Sequence, residues 1–209
     1  MLFYFNRKKM KHSKILSFEA LIRSVNELKS AGKKIVYAQG FFDLLHIGHV
    51  YHLEQSKKLG DILIVGVVAD RFMRKGPGRP IFKEKERLKQ VAVLDCVDFL
   101  VLVKTPTAIE PITKIKPNIY VKGADAKEKA DHPRDPAEIL YRDNLFLEIN
   151  ASKSVGGKIH FTKSLPIHST ELLAKLSDAE LKKISDFYKN NEFLKTPIIP
   201  FLEKIWLNI

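Results

Sequence analysis

Apolar residues along this chain follow two alternating patterns, one at helical spacing and one in short continuous runs. The helical pattern begins after Ser17 and ends at Gly32, with apolar positions at Phe18, Leu21, Ile22, Val25 and Leu28. Short continuous runs are typical of strands that are covered on both faces. Four such strands are predicted, at residues 35–38, 62–68, 99–103 and 119–121. Helices are predicted between them, ending near residues 60, 94 and 115.

The alternation of strands with helices predicts an α/β fold built from parallel βαβ units with right-handed crossovers. We expect a Rossmann-like open parallel sheet with helices on both faces, plus a C-terminal helical tail. The predicted organisation is a basic leader over residues 1–13, a main domain over 14–176 and a helical extension over 177–209. Ligands of open parallel sheets bind beyond the carboxyl ends of the strands, so the residues after each strand are the candidates for function.

Composition narrows the classes of protein to which the chain can belong. With 209 residues, 45% of them hydrophobic and 29% charged, the chain can bury a core and is not a disordered protein. No apolar run reaches a length of about 18 residues, which a membrane-spanning helix needs. The one cysteine, Cys96, excludes a disulfide framework within the chain and a CxxC zinc site. The apolar start precedes its basic residues, the reverse of a signal peptide, so we expect a cytoplasmic protein.

The net charge is +12, and residues 1–34 carry +7 of it, from nine Lys or Arg and two Glu. A basic leader could bind nucleic acid or an anionic membrane surface, and Phe3, Tyr4 and Phe5 could stack on bases. A solvated leader is the simpler interpretation, so nucleic acid is not an expected partner. The mildly basic remainder suits an enzyme whose ligands are polyphosphates.

The residues after the first long strand, at 40–49, form the most informative run. Its histidines, His46 and His49, are three positions apart at the start of a predicted helix, so both imidazoles face the same way. Gly48 between them allows a ligand to approach the backbone, and the helix N-terminus offers N–H donors to a phosphate. A zinc site would need a third protein ligand, which no nearby cluster of His, Cys or Glu supplies. The histidines that we expect to be ordinary surface or loop residues are His12, His52, His132 and His160.

The run at 40–49 resembles the HxGH signature of the cytidylyltransferase family of nucleotidyltransferases, and the resemblance covers most of residues 15–174. It implies that His46 and His49 stabilise the transition state at the α-phosphate of a nucleotide. The resemblance also implies that four other residues of this run lie at the nucleotide site, namely Gly40, Phe41, Phe42 and Gly48. Asp43 in the same run is expected to be mainly structural.

Three later segments extend the resemblance. The basic loop at 71–80 resembles the family's phosphate-binding loop, which implies a catalytic role for Lys75 and contacts to a substrate phosphate from Arg79 and, further on, Arg87. The segment Val-Lys-Gly-Ala-Asp at 121–125 resembles a segment that is found in heptose-phosphate adenylyltransferases. The segment at 165–170, after a last predicted strand at 156–161, resembles the family's Ser/Thr-rich helix start. The resemblance of these two segments implies that four of their residues contact the nucleotide, namely Lys122, Asp125, Ser169 and Thr170. For Ser169 and Thr170, capping of a helix is the alternative.

Within the family, the strongest resemblance is to heptose-1-phosphate adenylyltransferase domains and to transferase modules fused to ribokinase-type sugar kinases. The chain departs from those domains in having Gln39 and Phe41 around Gly40, and in an insert at 126–155 that is interrupted at 131–136. The insert is expected near the ligand edge, where it would select the acceptor.

The resemblance implies transfer of a nucleotidyl group from ATP or CTP to a sugar phosphate or polyol phosphate, with release of pyrophosphate. The product would be an activated precursor of cell-envelope polysaccharide, and Mg²⁺ is expected with the nucleoside triphosphate rather than at a protein metal site. A glycerol-3-phosphate-type cytidylyltransferase and a nucleotide-binding regulator without catalysis are the alternatives. The expected protein partners are a second copy, in a homodimer, and a separate sugar kinase.

Overall fold

The computed structural model describes residues 14–73, 79–132 and 136–163. Their strands are β1 (Ile15–Leu16), β2 (Ile35–Gly40), β3 (Ile62–Val68), β4 (Phe99–Val103), β5 (Ile119–Gly123) and β6 (Lys158–Thr162). Their α-helices are α1 (Phe18–Ser30), α2 (Ile47–Lys57), α3 (Glu84–Ala92), α4 (Ile109–Ile115), α5 (Ala124–Asp131) and α6 (Pro136–Ser154). A single 3₁₀ turn, Asp70–Phe72, follows β3. The predicted leader, Lys75, Ser169, Thr170 and the C-terminal extension lie outside the described residues, so the domain boundaries stay predictions.

The six strands form one parallel sheet in the order β1-β4-β3-β2-β5-β6. From β2 the chain builds outward through β3 and β4 on one side, and through β5 and β6 on the other. The strand order therefore reverses between β2 and β5, and a crevice opens there at the carboxyl ends of the strands. The prediction of an open parallel sheet is confirmed. The two-residue strand β1 was not predicted because it is too short to give a pattern.

Helices cover both faces of the sheet, as predicted. The alternation along β2 directs Val36 and Ala38 to one face and Ile35 and Tyr37 to the other. Against the first face lie residues of α2 and α3, namely Leu53, Leu88 and Val91. Against the second face lie residues of α1, α4 and α6, namely Leu21, Ile112 and Ala151. The crevice residues between β2 and α2 therefore belong to the α2–α3 side.

Local sequence determines where the first helix, α1, begins and ends. The Ser17 hydroxyl oxygen accepts a hydrogen bond from the backbone N–H of Ala20 at 3.1 Å, which satisfies one of the free donors at the start of α1. After the helix ends, Gly32 adopts a φ of +73°, a left-handed conformation that a residue with a Cβ rarely takes. The predicted limits of this helix are thereby confirmed.

The insert predicted at 126–155 contains most of α5 and α6, and the predicted interruption falls between these helices. On α6, Leu145, Glu148 and Ser152 are buried against the rest of the domain. The helix thus supplies a buried acidic side chain, whose partners lie at the end of β5.

Candidate functional site

The loop between β2 and α2 lies at the reversal of strand order and positions both histidines. His46 is the N-cap of α2, with extended backbone, and its Nδ1 accepts the N–H of Gly48 at 3.1 Å. In a neutral imidazole the accepting nitrogen carries no hydrogen, so the hydrogen of His46 is on Nε2. This bond ties the His46 ring to the first turn of α2.

The two imidazoles are brought together on the first turn of α2. The ring centroids of His46 and His49 are 3.9 Å apart, and the rings are tilted by 33°. The Phe42 ring meets His49 edge-on at 5.2 Å. A Cβ at Gly40 would lie 3.0 Å from the Phe42 ring, so a glycine at the end of β2 gives this ring its space. Phe42 itself has a φ of +52° and is buried, which makes the turn out of β2 an unusual one.

Arg87 fastens the loops that follow β2 and β3. The guanidinium is fully buried, and its Nε donates to the Phe82 carbonyl at 3.0 Å. Nη1 donates to the Phe41 carbonyl, while Nη2 donates to the Val68 carbonyl at 2.8 Å and to the Asp70 carboxylate at 2.7 Å. Four of its five N–H donors therefore serve the protein, and a contact from Arg87 to a substrate phosphate stays a prediction. Arg87 is a positioning residue for the crevice.

Arg79 and Asp43 make a second connection across the crevice. Arg79 Nη1 donates to Asp43 Oδ2, and Asp43 Oδ1 accepts the backbone N–H groups of Ile81 and Phe82 at 2.8 and 3.3 Å. The structural role expected for Asp43 agrees with these three bonds. Arg79 is mostly buried and is paired with Asp43, so a contact from Arg79 to a substrate phosphate stays a prediction.

Lys122 lies in a buried polar cluster on the α6 side of the sheet. Its Nζ is 3.0 Å from Glu148 Oε2, which also accepts the Tyr120 hydroxyl at 2.8 Å. Glu148 Oε1 accepts the N–H of Ala108 at the start of α4 at 2.8 Å. The ring of Tyr141 lies 5.4 Å from Lys122 Nζ. Lys122 thus has an internal counter-ion, and its implied contact with a nucleotide stays a prediction.

The electrostatics of this cluster keep Lys122 charged. Burial by itself lowers the pKa of Lys122, but Tyr120, Tyr141 and Glu148 outweigh burial and hold that pKa well above the usual lysine value. Burial raises the pKa of Tyr120 well above its usual value, so its hydroxyl stays protonated and donates to Glu148. The cluster is a satisfied ion pair with a neutral hydrogen-bond donor.

His52 was expected to be an ordinary surface or loop residue, and this prediction is wrong. Its Nδ1 is 2.7 Å from the Thr162 hydroxyl oxygen, and that hydroxyl donates to the Lys122 carbonyl at 3.3 Å. Burial lowers the pKa of His52 to about 4, so the imidazole is neutral at pH 7. One turn further along α2, Gln55 bonds both the N–H and the carbonyl of Lys163 at 3.2 Å. The sequence did offer a signal that His52 faces the interior near the site, namely its position three residues after His49 on the same helix.

The remaining predicted residues have simpler surroundings. Asp125 is the second residue of α5 and lies close to Gly123, where a Cβ would be 2.5 Å from the Asp125 carboxylate oxygen. His132 and His160 are exposed, as predicted, while His12 lies outside the described residues. Burial raises the pKa of the Cys96 thiol to about 11, which makes this cysteine a poor nucleophile at pH 7.

In residues 14–73, 79–132 and 136–163, no group of three or more His, Cys, Asp or Glu side chains is placed to hold a metal ion. Within the same ranges, none of the helices combines the length and the apolar character that crossing a bilayer requires.

Known proteins are similar to this chain over the part that contains the crevice. The sequence profile of the cytidylyltransferase-like family matches residues 37–193. The bifunctional protein HldE of Helicobacter pylori is 45% identical over 120 residues, which are 56% of this chain and 25% of that protein. HldE of Citrifermentans bemidjiense is 44% identical over 115 residues, which are 54% of this chain and 24% of that protein. This chain therefore spans about a quarter of the length of these curated relatives.

One solved structure is similar to part of this chain. The lipopolysaccharide core biosynthesis protein from Thermoplasma volcanium is 30% identical, with a TM-score of 0.47. The similarity covers 66% of this chain and 100% of that chain.

Arg87→Met should lower the free energy of unfolding by about 3 kcal/mol, because it leaves Asp70 and three carbonyl groups without their donor. Urea denaturation measures this loss. Lys85→Met is the matched control, since Lys85 is exposed on the same helix and its replacement should cost little. A loss below about 1 kcal/mol in Arg87→Met would contradict the positioning role.

His52 should make folding stability depend on pH on the acidic side of neutrality. Its pKa is about 4 in the folded state and about 6.5 when unfolded, so the unfolded chain takes up the proton first. Stability should therefore fall as the pH drops from about 6.5 towards 4, by about 2 kcal/mol between pH 7 and 5. His52→Asn keeps an N–H donor and should flatten this dependence, as measured by urea denaturation at each pH. His160→Asn, at an exposed position, should leave it unchanged.

Proposed function

This chain belongs to the cytidylyltransferase-like family, and we propose that it catalyses nucleotidyl transfer to a phosphorylated sugar or polyol. The family resemblance drawn from residues 40–49 is thereby confirmed. The proposed reaction makes a nucleoside-diphosphate-activated precursor of cell-envelope polysaccharide and releases pyrophosphate. Heptose-1-phosphate adenylyltransferase activity is the form that we favour, because curated relatives named HldE match at 44–45% identity over 115–120 residues.

One observation carries the proposal, namely the pair of imidazoles at the start of α2. His46 and His49 lie together where the strand order reverses, which is the place where open α/β sheets bind ligands. They also stand at the positive dipole end of an 11-residue helix. Imidazole side chains and a helix N-terminus together suit a phosphate whose negative charge increases during reaction.

The proposed chemistry is a direct displacement at phosphorus. A phosphate oxygen of the acceptor attacks the α-phosphorus of the nucleoside triphosphate, the bond to the β-phosphate oxygen breaks, and pyrophosphate leaves with that electron pair. His46 and His49 donate hydrogen bonds to the α-phosphate oxygens as the negative charge on them grows. Gly48 leaves the backbone open to the same phosphate. Catalysis by position and charge needs no covalent intermediate on the protein.

Other residues have proposed roles that follow from their places in the chain. Gly40, Phe41 and Phe42 form the turn into the crevice beside the nucleotide. Lys75, Ser169 and Thr170 lie outside the described residues, and we propose that Lys75 bridges the two anionic substrates while the hydroxyls hold the leaving pyrophosphate. Asp125 is proposed at the nucleotide side of β5. Lys122 contributes through its charge near the crevice, which its ion pair with Glu148 fixes in place.

Mg²⁺ is proposed to enter with the triphosphate. It is a hard cation that prefers phosphate oxygens and water, and bound there it neutralises phosphate charge. Asp43, the acidic residue of the 40–49 run, is occupied by Arg79 and two backbone N–H groups, so it is not proposed as a metal ligand. The location proposed for the reaction is the cytoplasm, and the separate sugar kinase partner stays a prediction.

Pyrophosphate release measured with four nucleotides against a panel of phosphates tests the proposal. ATP with heptose 1-phosphate should give the highest rate. A preference for CTP with glycerol 3-phosphate would instead identify a glycerol-3-phosphate-type cytidylyltransferase. Nucleotide binding with no pyrophosphate release from any pair would overturn the enzyme proposal and favour a nucleotide-binding regulator.

His49→Ala should lower turnover by at least about 100-fold, because one lost donor at a transition state costs roughly 2.7–4 kcal/mol. Its urea denaturation curve should stay close to that of the parent. His160→Ala is the control, since His160 is exposed on β6. Full turnover in His49→Ala would exclude the proposed role of this imidazole.

A further inference from the structure

Polar side chains recur at every third position of α2, beginning at the crevice. The row starts with His46 and His49 and continues with His52 and Gln55. Residues three apart on a helix are neighbours on its surface, so His49, His52 and Gln55 lie along one side of α2. A helix rises about 1.5 Å per residue, which puts Gln55 about 9 Å along the axis from His49. One side of a single helix therefore carries the crevice histidines and, further along, His52 and Gln55.

Gln55 makes a paired contact with the end of β6. Its Nε2 donates to the Lys163 carbonyl and its Oε1 accepts the Lys163 N–H, both at 3.2 Å. The side-chain amide satisfies both backbone groups of Lys163, as a residue of a neighbouring strand would. Lys163 is the first residue after β6, which lies at the edge of the sheet. Gln55 therefore fixes the backbone at the point where the chain leaves this strand.

His52 adds a second attachment, to the last residue of β6. Its Nδ1 is 2.7 Å from Thr162 Oγ1, and the Thr162 hydroxyl donates to the Lys122 carbonyl at 3.3 Å. A hydroxyl has one hydrogen, so Nδ1 of His52 is the donor in the first of these bonds. Thr162 is buried, which shields the bond from water. We call His52, Gln55, Thr162 and Lys163 the β6 clamp.

We propose that Gln55 is a positioning residue for the pyrophosphate end of the nucleoside triphosphate. The β6 clamp holds the chain after β6 against the helix that carries His46 and His49. Ligands of the β- and γ-phosphates are thereby kept at a set distance from the imidazoles at the α-phosphate. The inference rests on the proposed function, in which the hydroxyls of Ser169 and Thr170 hold the leaving pyrophosphate. Gln55 acts through those hydroxyls and does not itself contact a ligand.

The lengths along the chain suit this role. Ser169 comes six residues after Lys163, and six residues extend at most about 22 Å. That reach exceeds the distance of about 9 Å along α2 from Gln55 back to His49. A tether whose start is fixed keeps its far end within a smaller volume, which raises the local concentration of the hydroxyls at the phosphates. Loss of the Gln55 amide lengthens the free tether and lowers that concentration.

Amide hydrogen exchange at Lys163, followed by NMR, tests the β6 clamp without any nucleotide. The Lys163 N–H should exchange at least about fivefold faster in Gln55→Met, because methionine has a similar length but no amide oxygen to accept this bond. Gln55→Glu still offers an acceptor and should keep the exchange slow. Glu54→Met, at an exposed position of the same helix, is the matched control and should change nothing. Equal exchange rates in Gln55→Met and the parent would overturn the proposal.

Calorimetric titration with a nucleoside triphosphate and its monophosphate tests the positioning role, with ATP and AMP as one pair of probes and CTP and CMP as the other. Gln55→Met should raise the Kd of the triphosphate by about three- to tenfold, the effect of losing two exposed neutral hydrogen bonds. The Kd of the monophosphate should not change, because it has no β- or γ-phosphate. Gln55→Glu keeps only the acceptor and should give an intermediate Kd. An unchanged triphosphate Kd, or an equal rise for both ligands, would overturn the proposal.

A double-mutant cycle identifies the groups through which Gln55 acts. In a background of Ser169→Ala with Thr170→Val the hydroxyls are gone, so Gln55→Met should have no further effect on the triphosphate Kd. An effect as large as in the parent would overturn the positioning role. The proposed reaction is tested separately, because these constants are measured without turnover. A protein that gives the expected Kd values but releases no pyrophosphate would count against the proposed reaction alone.

Discussion

A buried guanidinium joins the two segments that leave the centre of the sheet. Arg87 of α3 donates to the carbonyl of Phe41 after β2, to that of Val68 at the end of β3, and to Asp70 beyond it. A charge with no exposure is tolerated because nearly all of its donors are satisfied. The turn out of β2, and hence the start of α2, depends on this connection. The imidazoles of His46 and His49 lie on that first turn, so Arg87 helps to fix their place.

Ion pairs around the crevice join parts of the chain that are distant in sequence. Asp43 with Arg79, and Lys122 with Glu148, are two such pairs. They fix loops and helices by bonds that water cannot easily replace, because at least one member of each pair is buried. The first turn of α2, which carries His46 and His49, is therefore held within a rigid frame.

The helix α6 has one side packed against the domain and one side exposed. Its inner side supplies Glu148, which bonds β5 and the start of α4 together. The opposite side of the same helix carries the exposed side chains of Ile139, Leu140, Phe146 and Leu147. A change in the packing of α6 would therefore alter the position of Lys122 at the end of β5, through its ion pair with Glu148.

The sequence by itself determined the sheet and the location of the crevice. Strands such as β3 and β4 are short apolar runs between breaks, and this property belongs to each segment alone. The run at 40–49 likewise stands at a strand end that pattern alone could place. The roles of individual polar side chains were decided by the tertiary structure. Arg87 meets a carbonyl 46 residues away and His52 a hydroxyl 110 residues away. No local pattern records such partners, because the free energy of a buried charge or imidazole depends on which distant groups the fold brings beside it.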